Sequence, residues 1–353
     1  MNSENLKLSK IHPNIKTDPF RLESYSYELP LELIAQEPAA KRDDARLLII
    51  NRQKDSIIHD TFKNLNAYLP KDSNLIINNS KVIAARLLGQ RSTGGAVEVF
   101  LLNPLNDGYS FEVLIKPLKK IKQGEAINFG GGITGVLENK NERIVRFNQK
   151  DLINHLKDIG HIPLPPYIKR QDTPEDHQDY QTVYAKSLGS VAAPTAGLHF
   201  TDELIKKLKK EGQQFFELTL HINYGTFKPV ECEDIRKHPM HTEHYSIKAL
   251  AFESIRKARQ DSQAIVAVGT TSCRVLESVA LNDKLEGSTN IFIYPGFKFQ
   301  MVDHLITNFH LPHSTLLMLV CAFGGYDLMM KTYQEAIKER YRFYSYGDAM
   351  LIL

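Results

Sequence analysis

Between about residue 69 and residue 147 the chain changes character, and that change limits what it can fold into. Short apolar stretches follow one another at 75–78, 97–101, 109–115, 132–137 and 143–147. Between them lie Thr93-Gly94-Gly95, Asn106-Asp107-Gly108, Gly130-Gly131-Gly132 and Asn139-Lys140-Asn141, all turn-forming sequences. Short strands with turns at this spacing predict a small antiparallel barrel or sandwich. Further along, strand-like runs at 215–222, 264–268, 291–294 and 305–309 alternate with helix-like ones at 249–260, after Ser272, at 314–323 and at 328–340. That alternation predicts an α/β domain with a substantial sheet. The expected fold is an α/β main domain, barrel-like, interrupted by an inserted all-β antiparallel barrel domain. The expected limits are a flexible N-terminal extension at 1–22, the α/β catalytic domain at 23–68 and 155–353, and the inserted barrel at 69–154.

A chain of 353 residues is long enough for two such units. With 42% hydrophobic and 24% charged residues, it is not composed like a disordered protein. The net charge of +3 neither requires nor excludes a nucleic-acid partner. Cys232, Cys273 and Cys321 are far apart and odd in number, which fits a reducing cytoplasm rather than a disulfide framework or a zinc pattern. The longest apolar run, 316–323, is short of the roughly 20 residues that a bilayer requires, and the N-terminus has no apolar signal core. A cytoplasmic protein with no membrane contact is expected.

Residues 189–201, Gly-Ser-Val-Ala-Ala-Pro-Thr-Ala-Gly-Leu-His-Phe-Thr, form an uncharged small-residue loop. It feeds a helix signed by a Thr cap, acids in the first turn, bases in the last, and Gly212 beyond. Small residues let backbone N–H groups approach a ligand, so the loop is either a ligand cradle or a buried packing segment with His199 inert. Val268-Gly269-Thr270-Thr271-Ser272-Cys273-Arg274 reads as a strand turning into a helix, where N–H groups and hydroxyls can hold a carboxylate or a ribose. The alternative is a plain helix start with Ser272 as cap. Gly130–Gly132 opens no helix and reads as a hairpin turn, which counts against a Rossmann-type methyltransferase. His238, His241 and His244 stand three apart, but Pro239 breaks the helix that a metal reading needs, and no metal is expected. Proton transfer by His241 or Glu243 is the better reading. Asn308 and His310 fall at a strand's carboxyl end, where a site belongs.

Several of these stretches together resemble one family closely: 191–201, 268–272, Tyr294-Pro295-Gly296, 305–312, Tyr27-Glu28-Leu29-Pro30, 34–38 and 342–350. The family is the S-adenosylmethionine:tRNA ribosyltransferase-isomerases of queuosine biosynthesis, and the resemblance runs from about residue 24 to the C-terminus. It implies transfer and isomerisation of the ribosyl moiety of S-adenosylmethionine onto 7-aminomethyl-7-deazaguanine at the tRNA wobble position. The products would be epoxyqueuosine-tRNA, adenine and methionine, with no metal and no obligate protein partner. It also implies the two-domain fold read above.

The implied reaction starts with proton removal beside the sulfonium. His199, His241, Glu243 and His310 can each serve as base, with His199 the first choice. Thr195 and Asn308 are expected to assist adenine departure. Gly197, Gly269, Thr270, Thr271 and Ser272, with Arg274, are expected to bind substrate, the last group through its carboxylate. Lys81, Arg86, Arg91, Lys116, Lys119 and Lys120 are expected phosphate contacts for tRNA, with an affinity that falls steeply with salt. Asn79-Ser80 stands where Asp-Thr is frequent in the family, and Phe297 where tyrosine is common. A catalytically idle tRNA-binding protein is the competing reading, and it would have no use for the uncharged loop at 189–201.

Overall fold

The computed structural model describes residues 18–227 and 229–353. Most of the extension expected at 1–22 lies outside them. Its last residues run against the segment after Val230: Leu22 N–H donates to Glu233 O (2.9 Å), and Ile235 N–H to Phe20 O (2.9 Å).

A nine-stranded sheet organises the chain. Its order is Glu286–Thr289, Glu243–Ile247, Gln214–Leu220, Asn74–Asn78, Ile265–Val268, His304–Asn308, Ala349–Ile352, Arg46–Asn51, Ser56–Thr61. The four strands from Gln214–Leu220 to His304–Asn308 are mutually parallel. Apolar residues alternate across the sheet as a period of two demands. Leu48, Ile50, Ile76, Ile265, Ala267 and Leu305 face the core shared with helices Ala249–Gln260, Thr270–Asn282, Thr315–Gly324 and Tyr326–Lys338. Leu47, Ile49, Leu75, Ile77, Val266, Val268 and Ile306 face Phe62, Phe200 and the helix Asp202–Lys210. With both faces covered, parallel strands have the burial they need.

Two expectations are corrected here. Among the described residues the end strands Glu286–Thr289 and Ser56–Thr61 are not paired with one another, so the main sheet is open rather than barrel-like. Antiparallel strands finish each edge, so nothing forces closure. Asn74–Asn78, expected in the insertion, is a central strand of the main sheet. A fully buried run such as Asn-Leu-Ile-Ile-Asn carries no alternation to tell one sheet from another.

The second sheet is a closed six-stranded antiparallel barrel. Arg86–Arg91, Ala96–Pro104, Ser110–Lys116, Ile144–Phe147, Thr134–Asn139 and Ala126–Asn128 follow one another round the ring, and the last pairs with the first. Gly160–His161 adds to Arg86–Arg91 outside the expected limit of the insertion. Gly89 sits where a Cβ would fall 2.7 Å from Ile127 Cγ2, so the barrel wall closes only over a glycine. Gly130, Gly131 and Gly132 all take positive φ between two barrel strands, the hairpin turn expected. The parallel pair Ser80–Val82 and Ser187–Ser190 leads from the sheet to the loop at 191–199.

Candidate active site

Parallel strands present their carboxyl ends together, and in open α/β sheets ligands bind there. In this chain the segments after Val268 and Asn308, the loop at 192–196 and the C-terminal run at 344–345 line a cleft partly open to solvent. Thr195, Gly269, Thr270, Thr271, Arg274, Asn308 and His310 line it, so seven of the expected site residues meet in one place. The helix Thr270–Asn282 begins at the cleft wall, and the first N–H groups of a helix have no partner within it. Gly269 precedes it at φ 90°, a conformation that favours glycine. Ser272 is not the cap and does not line the cleft. It lies inside the first turn and its hydroxyl donates to Val268 O at 2.9 Å.

Arg274 is only 6% exposed. Its Nη1 is bonded to Glu243 Oε2, its Nε donates to Ile291 O (3.4 Å), and its Nη2 is buried without an acceptor. A buried donor left unpaired costs free energy unless a ligand supplies the acceptor. Glu243 is committed as the counter-ion: Oε1 also accepts from Asn223 N–H (3.1 Å) and Thr226 Oγ1 (3.3 Å). The expectation of Glu243 as a base is therefore corrected. His241 is exposed and lines a neighbouring chamber that shares Arg274 and Thr226 with the cleft.

Among the described residues, His310 is the histidine that lines the main cleft. Its Nε2 bonds Thr307 Oγ1 at 2.8 Å. Its backbone is clamped by Tyr333, whose hydroxyl accepts from His310 N–H (2.9 Å), and by Tyr27, whose hydroxyl donates to its carbonyl. His199, the first choice for base, is not in the cleft. It is buried on Phe62, ring centroids 5.1 Å apart, and its Nε2 lies 3.2 Å from Asn308 Oδ1. Asn308 Nδ2 donates to Tyr344 O (2.8 Å) and Ser345 O (3.3 Å), so Oδ1 is its acceptor and His199 Nε2–H the donor. The Asn308 amide nitrogen is fully engaged, and its oxygen keeps one further lone pair at the cleft. Gly197 is corrected as well: a Cβ there would lie 2.0 Å from the Tyr184 hydroxyl, so packing rather than a ligand requires it.

Burial lowers the His199 pKa from 6.5 to about 4 and the His310 pKa to about 3. An unfolded chain takes up both protons as pH falls through 6.5, while the folded chain resists until those lower values. The stability that goes with neutral burial is therefore whole above pH 6.5 and is lost as pH falls toward 4. The slope is about 1.4 kcal/mol per pH unit for each ring. Urea midpoints between pH 7 and 4 should fall steeply, and less so in a His199→Gln, His310→Gln double variant. Equal slopes in the two proteins would contradict this assignment.

The expected tRNA contacts divide. Lys116, Lys119 and Lys120 are exposed at one end of the barrel strand Ser110–Lys116, and Lys81 is half-buried on Ser80–Val82. Arg86 is paired with Glu98 at 3.3 Å. Arg91 is held by Glu125 through two bonds, 2.6 and 3.1 Å, with its side chain 17% exposed. So engaged, Arg91 is less available to a phosphate than Arg86, whose side chain is 30% exposed, and Arg91 is left out of the set. Sequence reasoning missed the aromatic wall of the cleft, Tyr167, Tyr180 and Tyr344. The signal was present in Tyr344-Ser345-Tyr346, within the stretch 342–350 that carries the family resemblance, and in Pro165-Pro166-Tyr167.

Among the described residues no group of three or more His, Cys, Asp or Glu is placed to hold a metal, and no helix is long and apolar enough to cross a membrane. A family model described as "Queuosine biosynthesis protein" matches residues 22–352. A curated protein of Sulfurihydrogenibium sp., named S-adenosylmethionine:tRNA ribosyltransferase-isomerase, is 47% identical over 94% of this chain and 100% of its own length. One of the same name from Symbiobacterium thermophilum is 49% identical over the same shares. The crystal structure of the S-adenosylmethionine tRNA ribosyltransferase from Thermotoga maritima matches with a TM-score of 0.55 at 38% identity, covering 94% of this chain and all of that one. The chain belongs to the queuosine biosynthesis family, that of the enzymes named S-adenosylmethionine:tRNA ribosyltransferase-isomerase.

Proposed function

We propose that this chain, acting in the cytoplasm, transfers and isomerises the ribosyl moiety of S-adenosylmethionine onto 7-aminomethyl-7-deazaguanine at the wobble position of tRNA. The products are epoxyqueuosine-tRNA, adenine and methionine. The observation that carries the reading is the buried, unpaired Nη2 of Arg274 beside a helix N-terminus at the cleft wall. That is a seat for the carboxylate of the donor, since cationic and N–H donors converge there. The sulfonium acidifies the adjacent carbon, and His310, the histidine that lines the cleft, is the proposed acceptor of its proton. Adenine departs with help from Thr195 in the loop at 192–196. The aminomethyl nitrogen attacks the ribosyl carbon, and closure of the epoxide expels methionine. S-adenosylmethionine is thus consumed as a substrate.

Lys81, Arg86, Lys116, Lys119 and Lys120 are the proposed contacts for the tRNA backbone. The test is direct: incubate the protein with S-adenosylmethionine and tRNA bearing the deazaguanine precursor, digest, and weigh the nucleosides. The expected product carries the mass of epoxyqueuosine, with adenine released in equal amount. A methyl mass gain, or an unchanged nucleoside, would overturn the reading.

A further inference from the structure

Tyr344 stands out in the backbone: it is a bulky residue at φ 73°, in the left-handed region. Such strain persists only where the surroundings over-determine it, and it gathers at functional sites. Here the surroundings are on view. Tyr344 N–H donates to Phe309 O (3.2 Å), its carbonyl accepts from Asn308 Nδ2 (2.8 Å), and Asn308 is turned that way by His199 (3.2 Å). The ring so placed lines the cleft and packs against Tyr167, centroids 4.7 Å apart at 51°, while the Tyr167 hydroxyl bonds Ser345 Oγ at 2.7 Å.

We propose that the Tyr344–Tyr167 wall is the seat of the purine ring of the donor, and that His199 and Asn308 are positioning residues that hold it. This rests on the function proposed above. The strand order supports the choice of occupant. Glu243, which anchors Arg274, lies on a strand toward one edge of the sheet, and Ala349–Ile352, which Tyr344 precedes, lies on the other side of Gly269. An adenosine donor whose carboxylate sits at Arg274 therefore extends its base toward the aromatic wall. Aromatic faces accept a flat base by stacking without needing a hydrogen-bond code.

The chain has no tryptophan, so Tyr344→Trp keeps an aromatic face and adds a single fluorophore. S-adenosylmethionine and 5′-methylthioadenosine should both quench its emission, and L-methionine should not. Tyr344→Ala should weaken 5′-methylthioadenosine binding by about 10- to 100-fold, the range for loss of one stacking partner. His199→Ala should raise KM for the donor far more than it lowers kcat, and His199→Gln, which can still donate to Asn308, should restore it. Calorimetry on the unsubstituted protein separates the two claims. If it binds no adenosine ligand, the functional reading fails. If it binds them while the introduced indole responds to none, or Tyr344→Ala binds 5′-methylthioadenosine normally, the purine seat is elsewhere.

Discussion

His310→Gln should lower kcat by about 100- to 10,000-fold, the usual worth of a positioned general base, while leaving tRNA affinity and thermal midpoint close to those of the parent protein. The amide can still meet the Thr307 hydroxyl, so the pocket is kept and only the lone pair of the imidazole is lost. The pH profile makes the assignment specific. Because burial holds the His310 pKa down at about 3, its ring stays neutral through pH 8 to 5, and kcat should show no acid limb near 6.5 from this group. An acid limb with a midpoint near 6.5, or a His310→Gln variant with parental turnover, would remove His310 from the chemistry. His241→Ala should change kcat little, since that ring is exposed in the neighbouring chamber.

How much of this was legible in the sequence follows from which forces each residue reports. Turn chemistry is local, so Asn106-Asp107-Gly108 and Gly130–Gly132 announced the barrel hairpins. The barrel strand Arg86–Arg91 escaped notice because Gly89 interrupts it, and the reason for that glycine, Ile127 on the neighbouring barrel strand, is 38 positions away. Asn74–Asn78 was seen as a strand and given to the wrong sheet, since partners of a parallel strand are far apart along the chain. At the site the same division holds. The strand-to-helix turns at Gly269 and Asn308 were readable, because a cleft at the carboxyl ends of parallel strands follows from the alternation itself. His199 was not, because nothing in Gly-Leu-His-Phe tells a ligand-facing imidazole from one turned back onto Asn308 and Phe62. Glu243 and Arg274 each looked free to act alone, and only the fold shows that they are spent partly on one another. Tyr344 needed a backbone angle, which no sequence pattern supplies.

That mutual dependence sets the second large effect. Arg274→Ala should destabilise the protein by about 3–5 kcal/mol, because it leaves the Glu243 carboxylate buried, 2% exposed, without its cation. The same substitution removes the proposed carboxylate seat, so loss of S-adenosylmethionine binding in that variant alone would be ambiguous. Arg274→Met combined with Glu243→Gln resolves it. The pair then carries no charge, Asn223 N–H and Thr226 Oγ1 keep an acceptor in the amide, and most of the lost stability should return. Binding of S-adenosylmethionine should not return, whereas 5′-methylthioadenosine, which has no carboxylate, should bind the double variant nearly as well as the parent. Arg274→Lys should fall between: one ammonium can satisfy Glu243, but it lacks the second arm of the guanidinium fork, the donor left unpaired. Parental affinity for S-adenosylmethionine in the stable double variant would mean that Arg274 serves the fold alone and that the carboxylate is held elsewhere.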